Sequence, residues 1–87
     1  MYQRTEIVPD GAKIERTRII AGLSKLEVAH RGCVPHSSVI RAERGQSVSA
    51  PTAAGICKAL GKEFDELFTI HRPGGVAAPA EREEVSA

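Results

Sequence analysis

Aromatic side chains are scarce in this chain, which holds two phenylalanines, one tyrosine and no tryptophan. Its core must therefore be aliphatic, built from Ile, Leu, Val and Ala, a composition that suits short helices packed closely together. Cysteine is scarcer still. Cys33 and Cys57 are too few for a disulfide scaffold and read as small packing residues. No apolar run approaches the roughly 20 residues that cross a bilayer. The opening MYQRTEIVPD lacks a charged-then-apolar leader pattern, so a cytoplasmic protein is expected. At 87 residues there is room for one small domain, and chains this short bury a modest core, which makes dimerisation a common remedy.

Net charge is only +1, but its distribution is uneven. Residues 11–45 carry seven basic side chains (Lys13, Arg16, Arg18, Lys25, Arg31, Arg41 and Arg44) against three acidic ones (Glu15, Glu27 and Glu43). The stretches 1–10, 46–70 and 71–87 each come to −1. One basic half and one acidic remainder is the footprint of a protein that turns one face toward phosphate.

Local signals divide the chain into five helices. Thr5 to Val8 alternates and reads as an arm or a short strand ending at Pro9. Asp10 can cap a first helix over Gly11–Ala21, with Ile14 inward and Gly22 as its left-handed stop. Ser24 and Glu27 form a capping box for a second helix, which turns Val28 and Ala29 inward and is cut short at Gly32. A third helix is expected from about Pro35 to Arg44, with Val39 and Ala42 inside and Gly45 as its end. Ser49 then caps a fourth helix, with Pro51 in its first turn, Ile56, Cys57 and Leu60 inward, and Gly61 at its close. A last short helix is predicted over Glu63–Phe68, burying Phe64 and Leu67. Beyond Ile70 the composition shifts to HRPGGVAAPAEREEVSA, too poor in apolar residues to repay ordering, and is expected to be disordered. The expected domains are thus an arm at 1–9, a helical domain at 10–70 and a tail at 71–87.

The second and third helices, joined by a tight turn, make a helix-turn-helix pattern. The residues that fill it are Gly22-Leu23-Ser24, Glu27-Val28-Ala29, Val34, Ser37, Val39, Arg41 and Glu43-Arg44-Gly45. Lys58-Ala59-Leu60-Gly61 and Asp65-Glu66-Leu67-Phe68 continue it. Over residues 11–68 this text closely resembles the Cro/C1-type (XRE-like) helix-turn-helix family of phage repressors and bacterial regulators. The resemblance implies an all-α, five-helix, lambda-repressor-like domain that binds duplex DNA as a homodimer, its third helix in the major groove.

Roles follow from the resemblance position by position. His36 and Ser37 stand where such proteins reach base edges, and Arg41 stands at another base-reading position, suited to guanine O6 and N7. Ile40 would meet the groove wall or a thymine methyl. Lys25, Ser38, Arg44, Gln46 and Ser47 would contact phosphate. Arg18 and Glu43 would form a partly buried ion pair, so Arg18 is assigned to structure. Two positions depart from the pattern. Cys33 stands where the family turn usually has Gly, so either the turn is shifted onto Gly32 or Cys33 is left-handed. Pro35 replaces the usual hydroxyl cap of the third helix.

Other chemistries are poorly supported. His30, Cys33 and His36 are spaced by three, but a structural zinc site needs a fourth ligand and none is evident. His36, Ser37, Ser38 and Glu43 could supply acyl-transfer groups, yet they lie along one exposed helix with no expected oxyanion site. No enzyme, metal or cofactor is expected. Dimer contacts are expected from Phe64, Leu67, Phe68 and Ile70 at the domain's edge. The competing reading is a protein-interaction module of the antitoxin or adaptor kind, whose tail orders on a partner. An architectural role in recombination would use the same DNA contacts.

Overall fold

The computed structural model describes residues 5–71, which form a strand, five helices and a second strand. In chain order these are β1 (Glu6–Pro9), α1 (Gly11–Ile20), α2 (Lys25–Gly32), α3 (His36–Glu43), α4 (Ala50–Leu60), α5 (Phe64–Leu67) and β2 (Phe68–His71). The tail expected to be disordered lies, from residue 72 onward, outside the described residues.

Most boundaries follow from local chemistry. The Asp10 carboxylate accepts the Lys13 amide at the start of α1. At α2 the capping box closes reciprocally, Glu27 N donating to Ser24 Oγ at 3.0 Å and Ser24 N donating to Glu27 Oε1 at 2.7 Å. Those bonds hold the Glu27 carboxyl below its ordinary pKa, the Ser24 backbone amide contributing most. Ser49 Oγ accepts the Thr52 amide and opens α4. The turns after α1, α3 and α4 place Gly22, Gly45 and Gly61 at positive φ.

Each helix gives at least one residue to a single aliphatic core. Ile14, Val28, Val39, Ile56 and Leu67 are its largest fully buried side chains, one from each of α1 to α5. The two phenylalanines stack at one edge, ring centres 5.4 Å apart.

The all-α expectation needs correction, because β1 and β2 form a two-stranded antiparallel sheet. Ile7 pairs with Ile70 and Val8 with Thr69, β-branched side chains that suit a pleated surface. Val48 also bridges to Ile7, so β1 lies between β2 and the loop before α4. Consequently α5 stops at Leu67 and Phe68 opens a strand instead of ending the helix. Asp10 N donates to Leu67 O at 2.8 Å, fixing that reversal.

The sheet also revises the expected dimer seam. Leu67 and Phe68 are buried in the core, and Phe64 is half-buried against it. Of the four residues assigned to the seam, Ile70 is the one that faces solvent, at 54% exposure. The chain reversal carries Phe68 back over the core, where local periodicity placed it at an edge.

Candidate nucleic-acid interface

The turn between α2 and α3 determines where the first residues of α3 point. Here α2 ends on Cys33 at φ 55° and ψ 43°, a left-handed conformation that costs a non-glycine residue about 1–2 kcal/mol. Two bonds hold it there, Val34 N donating to Ala29 O at 3.0 Å and Cys33 N to His30 O at 3.3 Å, the pair that defines a Schellman turn. Of the two alternatives open in the sequence, the left-handed cysteine is the one adopted. Gly32 is not free to take that role, because it is buried within α2. A Cβ on Gly32 would overlap the carbonyl of Gly55 on α4, and one on Gly55 would overlap the carbonyl of Gly32. The glycine stands one residue early because the backbones of α2 and α4 touch there.

Beyond the turn, Pro35 precedes α3 in an extended conformation and provides no side-chain cap. Within α3, Val39 and Ala42 face the core while Ser37 and Arg41 lie on the exposed side, and Arg44, the residue after the helix, continues that spacing. The carboxyl end of α3 is fastened from behind. Arg18 donates from Nε to Glu43 Oε2 at 2.6 Å and from Nη2 to Oε1 at 3.3 Å, a two-pronged ion pair. Its remaining nitrogen, Nη1, donates to Leu23 O at 2.9 Å. The two side chains are 12% and 6% exposed, so the pair is largely withdrawn from water. The bond to Glu43 raises the guanidinium's pKa, outweighing the opposing effect of burial. One arginine thereby joins α1, the turn after it and the end of α3.

In front of this scaffold lies a cleft of about 660 Å³. Ser37, Ser38 and Arg41 of α3 form one wall, and Ser47 to Ala50, at the amino end of α4, form another. Thr5, Glu6 and Ile7 close the third side. The cleft is rich in hydroxyls, and the Arg41 guanidinium stands in it with Nη2 donating to Ser47 O at 3.2 Å. Hydroxyls and a guanidinium together suit an anionic, hydrogen-bonding polymer.

Four of the nine residues assigned to base or phosphate contact line this cleft: Ser37, Ser38, Arg41 and Ser47. The other five lie outside its lining. His36 is exposed at the first position of α3, Ile40 is half-buried on its flank, and Arg44 and Gln46 are exposed just beyond it. Lys25 opens α2 half-buried. Sequence reasoning missed Thr5 and Glu6 as wall residues. The available signal was the pairing potential of the β-branched run Thr69-Ile70 with Ile7-Val8.

The spacing of His30, Cys33 and His36 leads to no metal site, since no group of three or more His, Cys, Asp or Glu side chains converges among the described residues. Among the same residues no helix is long and apolar enough to cross a membrane. Cys57 is buried, and burial pushes its thiol pKa up, away from the reactive thiolate.

Comparison with known proteins matches residues 14–67 to a family described as helix-turn-helix. That span runs from the core residue of α1 to the end of α5 and contains the whole cleft except its β1 wall. No curated protein and no solved structure matches the chain.

Proposed function

The chain belongs to the Cro/C1-type helix-turn-helix family of DNA-binding regulators, and from that premise we propose that it reads a specific duplex sequence as a homodimer and regulates transcription there. The observation that carries this reading is the cleft. It gathers Ser37, Ser38 and Arg41 of α3 with Ser47 and the amino end of α4, while α3 is held rigidly from behind by Arg18 and Glu43.

In this reading α3 lies in the major groove. Arg41 meets a guanine through O6 and N7, Ser37 and His36 reach neighbouring base edges, and Ile40 lies against the groove wall. Ser38, Ser47, Gln46, Arg44 and Lys25 hold the flanking phosphates and set the register, contributing affinity that falls with salt. Glu6 brings a negative charge to the cleft's rim. It disfavours close phosphate approach on that side and so directs the backbone toward α4.

One module offers few base contacts. Two copies on half-sites roughly 34 Å apart supply both affinity and two-fold symmetry. The exposed Ile70 on the outer strand of the sheet is the joining residue this reading selects, because β2 pairs only with β1 among the described residues.

Binding to an operator-containing duplex and to a scrambled one, at two salt concentrations, tests the proposal. Arg41→Ala should lose about 1–3 kcal/mol on the operator, roughly fivefold to 150-fold, and little on scrambled DNA. Arg44→Ala should weaken both about equally and lower the salt slope by about one. Equal loss on both duplexes for Arg41→Ala would overturn direct readout by that residue.

A further inference from the structure

Away from the cleft, α1 presents an outward face of unusual composition. Ile19 and Ile20 are 59% and 73% exposed, and with Ala12, Glu15 and Arg16 they line a shallow hollow of about 390 Å³. Ile14 is the buried residue of this helix, and the outer face is not used by the core. Residues 12 and 19 are each three or four positions from both 15 and 16, so the four share one stripe.

Along the helix that stripe runs small, acidic, basic, large: Ala12, Glu15, Arg16, Ile19. Its order is complementary to its own reverse. A second copy laid antiparallel across a two-fold axis places Ile19 over the partner's Ala12 and Arg16 against the partner's Glu15. Each contact occurs twice, as an isologous interface requires. Ile20 flanks the stripe and covers the aliphatic stem of the partner's Arg16. A parallel arrangement would instead oppose Glu15 to Glu15 and leave both alanines uncovered. Among the described residues neither Glu15 nor Arg16 has an ion-pair partner within the chain, so both remain available.

We propose that this face of α1 is a self-association surface whose occupant is the antiparallel α1 of a second copy of the chain. One helix face falls well short of the roughly 1,200–2,000 Å² typical of stable complexes, so the association is weak in free solution. It becomes effective where copies are already held close, as on neighbouring sites of one DNA molecule. The surface is distinct from the Ile70 strand edge, so pairs joined at one surface can be linked through the other.

Sedimentation of the full chain from about 10 to 500 μM, the range expected for so small an interface, tests the proposal. The parent protein should show a concentration-dependent association step. Arg16→Glu should weaken that step about tenfold or more by opposing like charges twice. The double reversal Glu15→Arg with Arg16→Glu should bring it back to within about threefold of the parent. Ile19→Asp should abolish it. All four positions of the stripe are outside the core, so far-ultraviolet dichroism should report an unchanged fold. Arg41→Ala should leave the step unaltered, which separates this surface from DNA reading. Absence of any such step in the parent, indifference to Arg16→Glu, or failure of the double reversal to restore association would each overturn the proposal.

Discussion

The two ends of α3 are held by opposite means. At its amino end no side chain caps the helix. Position is set by backbone packed on backbone where Gly32 meets Gly55, and by a left-handed Cys33. At its carboxyl end a nearly dry ion pair, Arg18 with Glu43, draws α3 against α1 and the turn after it. The first attachment depends on size and the second on charge. The comparison teaches that residues of α3 other than its core stripe and Glu43 are free to vary, because neither attachment uses them. Ser37, Ser38 and Arg41 can be exchanged to suit a different duplex without loosening the helix that carries them.

Glu43→Gln should show the largest effect on stability, about 3–4 kcal/mol by thermal or denaturant unfolding, because it strands the Arg18 charge away from water. Arg18→Met combined with Glu43→Leu should recover most of that loss, since an apolar pair leaves no charge unpaired. A double variant as unstable as Glu43→Gln alone would mean that the carboxyl end depends on shape after all.

Gly55→Ala should cost about 2–3 kcal/mol, with no rescuing change of charge anywhere, because the added methyl must push α2 from α4. Its loss of DNA affinity should exceed what unfolding explains, the amino end of α3 being displaced. A neutral Gly55→Ala would show that the two backbones can separate freely.

The smallest effect is a gain. Cys33→Gly should stabilise the domain by about 1 kcal/mol, relief of the left-handed conformation outweighing the added freedom of the unfolded chain. A destabilised Cys33→Gly would indicate that the thiol makes packing contacts worth more than the strain.

These three positions also mark what local sequence can reveal. Asp10, the Ser24–Glu27 box and Ser49 announce helix starts through hydrogen bonds made within three residues, so they were legible directly. Gly22, Gly45 and Gly61 announced helix ends for the same reason. Gly32 was not legible, because its neighbour Gly55 is 23 positions away and only the packed fold brings them together. Phe68 was assigned to a helix and to a surface because its strand partner, Pro9, lies at the other end of the domain. The cleft was half legible. Its α3 wall came from residue type and spacing, but its β1 wall depended on that same distant pairing.

The pairing of β1 with β2 has a kinetic meaning. Ile7 and Ile70 bracket nearly the whole domain, so joining them closes a loop of more than 60 residues, with an entropic barrier on the order of 3–4 kcal/mol. Helices held by contacts within a turn form before such closure. The strand pairing therefore acts as the last clasp, shut only after the five helices have gathered. The cleft wall that contains Thr5 and Glu6 should then be the latest part of the binding face to assemble and the earliest to open.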